Sequence, residues 1–421
     1  MADTIFALSS GRPPAAISII RISGPGAHEA AVSIAGVLPE ARTAAVRELR
    51  HPATRELLDE ALVLRFDGPA SSTGEDIVEF QCHGGRAVVD GLLGALASID
   101  GFRLAEPGEF TRRAFENGRI DLTEAEGLAD LIEAETESQR KAALLLAEGG
   151  LRRQVGEWQE RLLALSAEAE RAIDYDDEDD AVAPALLGGC AALGSELCEW
   201  LGRPRAEPLK DGVRVVVAGP PNAGKSSLLN AIAGEERAIV TDIPGTTRDH
   251  IEVPLALGGV PVLLTDTAGL REAEDEVEAI GVQRAGRLVQ GADVLVWLGD
   301  PADAPPHLRL IKVHAKSDLR GEGPSESITV SSKTGEGLKP LLERIALEAK
   351  EVLPGEGAIA LNRRQAQHIA EAADALSGRG SDPVLVAENL RLARAAFDRL
   401  TGRAGVEDLL DALFGRFCLG K

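Results

Sequence analysis

The chain has little from which to build a disulfide framework. Four cysteines (Cys82, Cys190, Cys198 and Cys418) are spread over 421 residues, and none stands in C-x-x-C or zinc-ligand spacing. Cys190 and Cys198 lie eight positions apart, which fits neither pattern, so a reducing compartment is expected. Positive charge is also short. The 45 Lys and Arg residues face 68 Asp and Glu, for a formal net charge of −23. This balance argues against a protein whose whole surface grips phosphate backbones, while leaving room for a local basic patch or for nucleic acid brought by a basic partner. Long apolar runs are missing as well. The longest uncharged apolar stretch, residues 181–195, is Gly-rich and shorter than the roughly 18–20 residues of a membrane span. The opening MADTIFALSS lacks a basic n-region and a continuous apolar core. No signal peptide and no membrane partner are therefore expected, and a cytoplasmic location is.

What is present suffices for several cores. At roughly 100–200 residues per domain, the length suggests two to four domains, and ordinary hydrophobic content rules out wholesale disorder. Residues 1–118 mix strand-like runs, AISIIRI (16–22) and EALVLRF (60–66), with turn signals at 71–74 and 84–85, predicting an α+β domain. From 119 to 210 the pattern is helical. Val155, Trp158, Leu162, Leu165 and Ala169 recur at helical spacing, which puts one apolar stripe on a long helix. The acidic run 174–180 reads as a solvated loop, because it lacks the Gly-anchored spacing of a calcium loop. Between 211 and 345, apolar strands at 213–219, 260–266, 292–299, 308–318 and 327–332 alternate with helical patterns. That alternation predicts a doubly wound, mostly parallel sheet. From 346 to 421 the chain is helical again, with candidates at 362–377, 384–400 and 406–417. The expected fold is thus multidomain α+β and α/β, with the α/β domain inserted into a helical one.

Gly219-Pro220-Pro221-Asn222-Ala223-Gly224-Lys225-Ser226 satisfies G-x-x-x-x-G-K-[ST] between a strand and the helical run that begins Ser226-Ser227. Such glycines let backbone N–H groups close around phosphates. Lys225 neutralises the β/γ oxygens, Ser226 reaches Mg²⁺, and the helix N-terminus adds its dipole. Asp266-Thr267-Ala268-Gly269 ends the next apolar strand, where Asp266 would hold the Mg²⁺ shell and the Gly269 amide would sense a γ-phosphate. Between them, in Gly245-Thr246-Thr247-Arg248-Asp249, Thr247 is placed to close on Mg²⁺ as a switch that orders with triphosphate. Ala315-Lys316-Ser317-Asp318 resembles the guanine motif N-K-x-D with Ala315 for Asn, and Ser331-Ser332-Lys333 resembles the second base loop, so GTP is favoured over ATP. Leu270 stands where small signalling GTPases carry a water-orienting Gln, so another group must organise hydrolysis.

With TGEDIVEFQCHGG (73–85), EPGEFTRRAFENGRIDLTEAEGLADLI (106–132), TDIPGTTRD, DTAGLREAEDEVEAIG and the C-terminal FCLGK, the chain resembles end to end the MnmE (TrmE) tRNA-modification GTPases. The resemblance implies an N-terminal folate-binding-like domain that forms a homodimer. It implies an FAD-dependent partner, MnmG (GidA), in a heterotetramer, and tRNA as substrate. The product carries an aminomethyl-type group at C5 of the wobble uridine, with 5-formyl- or 5,10-methylene-tetrahydrofolate as carbon donor. Family positions touching folate fall on Arg21, Glu79, Arg119 (where Lys is frequent) and Lys421. Positions holding K⁺ fall on Asn222, Thr241, Ile243 and Thr246, Glu278 matches the residue that orients the attacking water, and Cys418 is a candidate nucleophile. Two departures, Ala315 and a short segment at 301–309, bear on nucleotide affinity. The rival readings are a ribosome-assembly GTPase, disfavoured by the absence of a basic module, and a scaffold with weak hydrolysis, suggested only by Ala315.

Overall fold

The computed structural model describes residues 3–174, 184–235, 252–267, 286–378, 382–404, 407–415, 417, 419 and 420. Residues 175–180 of the acidic run lie outside that set. The chain forms two compact units: Met1–Ala129 with Thr401–Lys421, and Asp130–Leu400.

In the first unit, six strands make one sheet: β1 (Thr4–Leu8), β2 (Ile17–Ser23), β3 (Ala45–Arg50), β4 (Leu57–Phe66), β5 (Ile77–His83) and β6 (Phe102–Leu104). Their order is β3-β4-β5-β2-β1-β6, antiparallel except for the β1–β6 pair. Strand alternation decides what each face carries. Ile20 and Ile22 of β2 and Val78 and Phe80 of β5 point into a core shared with α1 (Ala27–Ala35) and α2 (Arg86–Ala97). Each such side chain contributes about 1.5–3 kcal/mol on burial. The register is therefore locked, because a one-residue slip would drive Arg21 and Glu79 into that core. The opposite face meets α3 (Glu109–Glu116), whose Phe110 packs with Ile5 and Ala7, and α4 (Leu122–Glu133) follows.

The second unit begins with α5 (Glu137–Ala147), α6 (Gly150–Asp174), α7 (Pro184–Leu201) and α8 (Glu207–Asp211). The stripe expected on the long helix is the one it buries: Val155, Trp158, Leu162 and Ala169 are in the core and Leu165 packs against it. Trp158 meets Trp200 edge-on at 5.2 Å and stacks on Phe397 at 5.8 Å, joining three helices around one indole, whose N–H donates to Glu196 at 2.8 Å.

The inserted α/β part comprises β7 (Val213–Ala218), α9 (Lys225–Glu235), β8 (Glu252–Leu257), β9 (Val260–Asp266), β10 (Val294–Trp297), β11 (Leu310–Ala315), β12 (Ile328–Val330) and α10 (Leu338–Lys350). Strand order is β12-β11-β10-β7-β9-β8, parallel throughout except for the β8–β9 hairpin. The sequence shows five of these strands plainly. It hides β8, where Pro254 interrupts the run, and proline is tolerated there because β8 is an edge. Parallel strands β10 and β11 are joined by residues 298–309 with only a 3₁₀ turn at Pro301–Asp303, which agrees with the short segment noted in the sequence. Helices α11 (Arg363–Leu376) and α12 (Pro383–Thr401) complete the helical bundle. Helix α11 starts on a capping box in which the Asn362 side chain accepts from the Gln365 N–H at 2.9 Å and Gln365 accepts from the Asn362 N–H at 3.1 Å. The last helix, α13 (Glu407–Phe414), returns to the first unit.

Candidate active site

The loop between β7 and α9 is shaped for close backbone approach. Gly219 has φ +152°, and a Cβ there would press on the Leu298 backbone, while Asn222 adopts φ +60°. Lys225, in the first turn of α9, is buried, and its Nζ donates to the carbonyls of Gly219 at 3.0 Å and Pro220 at 2.9 Å. Its charge is thus held over the loop that the sequence marks for phosphates. Ala223 is buried in the core, and Ser227 occupies the same first turn as Ser226. Ser226 Oγ donates to Asp266 Oδ2 at 2.6 Å, bringing a hydroxyl and a fully buried carboxylate from two elements to one point. Hard oxygen donors at a phosphate loop fit Mg²⁺. Thr267 Oγ1 donates to the Val217 carbonyl at 3.1 Å, which fastens the end of β9 to β7 and so fixes Asp266.

Of the residues that the sequence assigns to base reading, Lys316 reaches the same loop. Lys316, with φ +63°, donates from Nζ to the Asn222 carbonyl at 2.6 Å. Ser331, fully buried, donates to Asp318 Oδ1 at 2.8 Å and accepts from the backbone N–H of Lys333 at 3.3 Å, while Ser332 lies between them. Ala315 itself is packed in the core, so the Asp318 carboxylate is held from the second loop rather than from position 315. The spacing of the motifs does not reveal that link.

In the first unit, Arg21 and Glu79 are register partners across β2 and β5 and form an ion pair at 2.8 Å on the face away from the α1–α2 core. The Arg21 guanidinium lies 5.6 Å from the centre of the Phe110 ring, a neighbour the sequence did not single out. Arg119 sits just after α3, its stem against Gly74. The chain's last residues come back to this sheet. Gly420, at φ +93°, packs so tightly on Leu8 and Ser9 that a Cβ would collide with the Leu8 carbonyl, and Leu8 and Ala7 are the register partners of Ile20 and Arg21. Phe414 bridges Phe115 at 6.4 Å and Phe417 at 6.0 Å, anchoring that return. Thr241, Ile243, Thr246, Thr247, Ala268, Gly269, Glu278, Cys418 and Lys421 lie outside the described residues.

Near the same strand ends is an ion cluster that no sequence motif announces. Arg113, with its side chain 10% exposed, pairs with Asp3 at 2.8 Å, Glu109 at 3.0 Å and Glu75 at 3.2 Å. Arg103 also pairs with Asp3 and Glu109, and Ser23 at the end of β2 donates to Glu75 at 2.8 Å. The hydrogen bond from Arg103 holds the Asp3 carboxyl below its usual value. Burial pushes Glu109 upward, but hydrogen bonds from Arg103, the Glu106 N–H and Arg113 outweigh it and leave that carboxyl lowered too.

The chain matches the family described as GTP-binding protein TrmE N-terminus over residues 4–119, and that described as MnmE helical domain over residues 122–418. A protein named tRNA modification GTPase MnmE from Rhizorhabdus wittichii is 53% identical over 427 aligned positions, covering 100% of this chain and 97% of its own. One of the same name from Erythrobacter litoralis is 53% identical over 424 positions, covering 100% of both. Among solved structures, the G domain of the T. maritima FeoB iron transporter aligns at 26% identity with a TM-score of 0.25, over 32% of this chain and 98% of its own. No helix among the described residues is long and apolar enough to cross a membrane.

Proposed function

The chain belongs to the MnmE family of tRNA modification GTPases, and on that premise we propose a potassium-activated enzyme that hydrolyses GTP to drive modification of the wobble uridine. The observation that carries the hydrolytic part is the convergence of Lys225, Ser226 and Asp266 at one phosphate loop. Ser226 and Asp266, with Thr247, would hold Mg²⁺, which supplies charge to the phosphates. Lys225 binds the β/γ oxygens and stabilises charge that grows in the transition state. The backbone of residues 222–227 orients the phosphates, Lys316 packs along the base, and Asp318 accepts from its N1–H and amine. Thr241, Ile243, Thr246 and Asn222 would hold K⁺, and Glu278 would orient the attacking water.

The second half of the proposal is a one-carbon site on the β2–β5 face, where Arg21, Glu79, Arg119 and Lys421 bind a tetrahydrofolate, with Cys418 alongside. Support comes from the Arg21–Glu79 pair and from Gly420 seated against Leu8, beside the register partner of Arg21. We assign residues 1–118 to this folate and dimer domain, 119–210 and 346–421 to the helical domain, and 211–345 to the GTPase. The working assembly is a cytoplasmic homodimer joined to an FAD-dependent MnmG-type partner. With a net charge of −23, this chain leaves most of the tRNA grip to that partner.

Two measurements test these assignments. Mass spectrometry of tRNA nucleosides from a strain lacking the gene should show loss of the C5 modification at wobble uridines, and unchanged wobble uridines would overturn the proposed activity. GTP turnover by the full chain should be faster in K⁺ than in Na⁺ buffer, and equal rates would remove the cation assignment alone.

A further inference from the structure

In the second unit, a cavity of about 580 Å³ opens between the α7–α8 connection and one face of α11. Arg363, Ala366, Gln367 and Ala370 line it from α11 at the i, i+3, i+4 and i+7 positions of a single helix face. Leu201, Arg205 and Glu207 line it from the other wall. The two walls are stitched together. Arg205 forms an isolated parallel bridge with Leu361, the Ala206 N–H donates to the Leu361 carbonyl at 3.1 Å, and the Asn362 capping box sets the start of α11.

The two cavity arginines stand apart from their neighbours. Arg399 pairs with Glu371 at 2.8 Å, and Arg364 donates to the Leu400 carbonyl at 3.1 Å. No described carboxylate pairs with Arg205 or Arg363, and Arg205 Nη1 is buried without an acceptor. A third cation stands on the same connection: Arg203 is held over the Trp200 ring at 3.8 Å, with its own surface exposed. In so acidic a chain, two arginines against the single Glu207 on one cavity are a local excess of positive charge.

We propose that this cavity binds a phosphodiester of the tRNA backbone, an assignment that rests on the family's action on tRNA and is independent of the K⁺ and folate sites. Guanidinium forks match phosphate oxygens two at a time, and the Gln367 amide adds a neutral donor. Leu201 and Ala366 add apolar lining beside these donors. Arg205 and Arg363 line the cavity with guanidinium donors that no described carboxylate pairs with. Glu207 on the rim opposes the anion and keeps the site weak in isolation, in line with a partner that provides the main grip.

The test is equilibrium tRNA binding by the full chain over a series of salt concentrations. R205A/R363A should lower affinity about tenfold at low salt and flatten the log K against log salt slope by about 0.7–0.9 per lost contact, with GTP turnover unchanged. E207Q should tighten binding and steepen the slope. It keeps the proposal falsifiable should the double variant fail to fold. Wild-type affinity and slope in the double variant, or no effect of E207Q, would overturn the assignment. So would loss of inorganic phosphate binding with tRNA binding intact, which marks a free-anion pocket. Loss of binding to the MnmG-type partner with tRNA binding intact would point to an acidic protein surface instead, and would equally overturn it. Unchanged wobble uridines in the deletion strain sink the broader activity, whereas an unchanged salt slope sinks this cavity alone.

Discussion

Replacing Lys225 with alanine lowers kcat for GTP hydrolysis by at least about 10²–10³-fold, or about 2.7–4 kcal/mol of transition-state stabilisation, the range for removing one preorganised donor. The size of the effect follows from where the charge is held. Nζ is buried over the loop by the carbonyls of Gly219 and Pro220, so no solvent reorganisation is needed when negative charge builds on the phosphates. The Ser226–Asp266 hydrogen bond does not include that amine, so the substitution leaves both partners of the pair proposed to hold Mg²⁺ in place. The checks are single-turnover hydrolysis at saturating Mg²⁺ and the thermal unfolding curve. A large fall in rate with an unaltered melting curve is expected. Turnover within about threefold of wild type would show that Lys225 makes no contact peculiar to the transition state.

Replacing Arg113 with methionine should destabilise the first unit by about 3–5 kcal/mol, the cost of removing one member from a buried ion cluster. Asp3, Glu75 and Glu109 would then share Arg103 and Ser23 as their remaining partners within the cluster. Against a net stability of roughly 5–15 kcal/mol, such a loss is severe. The cluster also sets an acid dependence. Asp3 and Glu109 have lowered carboxyl pKa values in the folded chain, so their contribution is complete above the unfolded values near about 3.9 and 4.3. It fades as pH falls through the lowered folded values, and Asp3, the more exposed of the two, contributes less. Urea unfolding at neutral pH and near about pH 3.5 measures both effects. Wild-type should lose stability in acid, R113M should lose only somewhat less because Arg103 still lowers Asp3 and Glu109, and a wild-type midpoint in R113M at neutral pH would disprove the role of the cluster.

How much of this was legible in the sequence depends on how far apart the interacting residues lie. The stripe from Val155 to Ala169, the helix expected at 362–377 and the strand expected from 213 are local patterns, and each is found where its residues predict. The β8 strand was hidden by Pro254, whose tolerance at a sheet edge is known only once the strand order is. Arg113 and Asp3 are 110 positions apart, Asp318 and Ser331 belong to different loops, and Arg205 meets the face of α11 from more than a hundred positions away. Nothing periodic connects such pairs, because tertiary packing alone creates them. The single Arg21–Glu79 pair lies between these extremes, since alternation predicts which face each occupies but only the β2–β5 register makes them neighbours.

The return of Thr401–Lys421 to the unit that begins the chain has a consequence for biosynthesis. On the ribosome, Asp130–Leu400 is translated in full before the first unit can be completed. At ~5–20 residues per second, those roughly 270 residues take about 14–54 s. Throughout that interval the Leu8–Ser9 edge lacks Gly420 and Phe115 lacks Phe414, so the nascent N-terminal sheet waits for contacts that its own residues cannot supply.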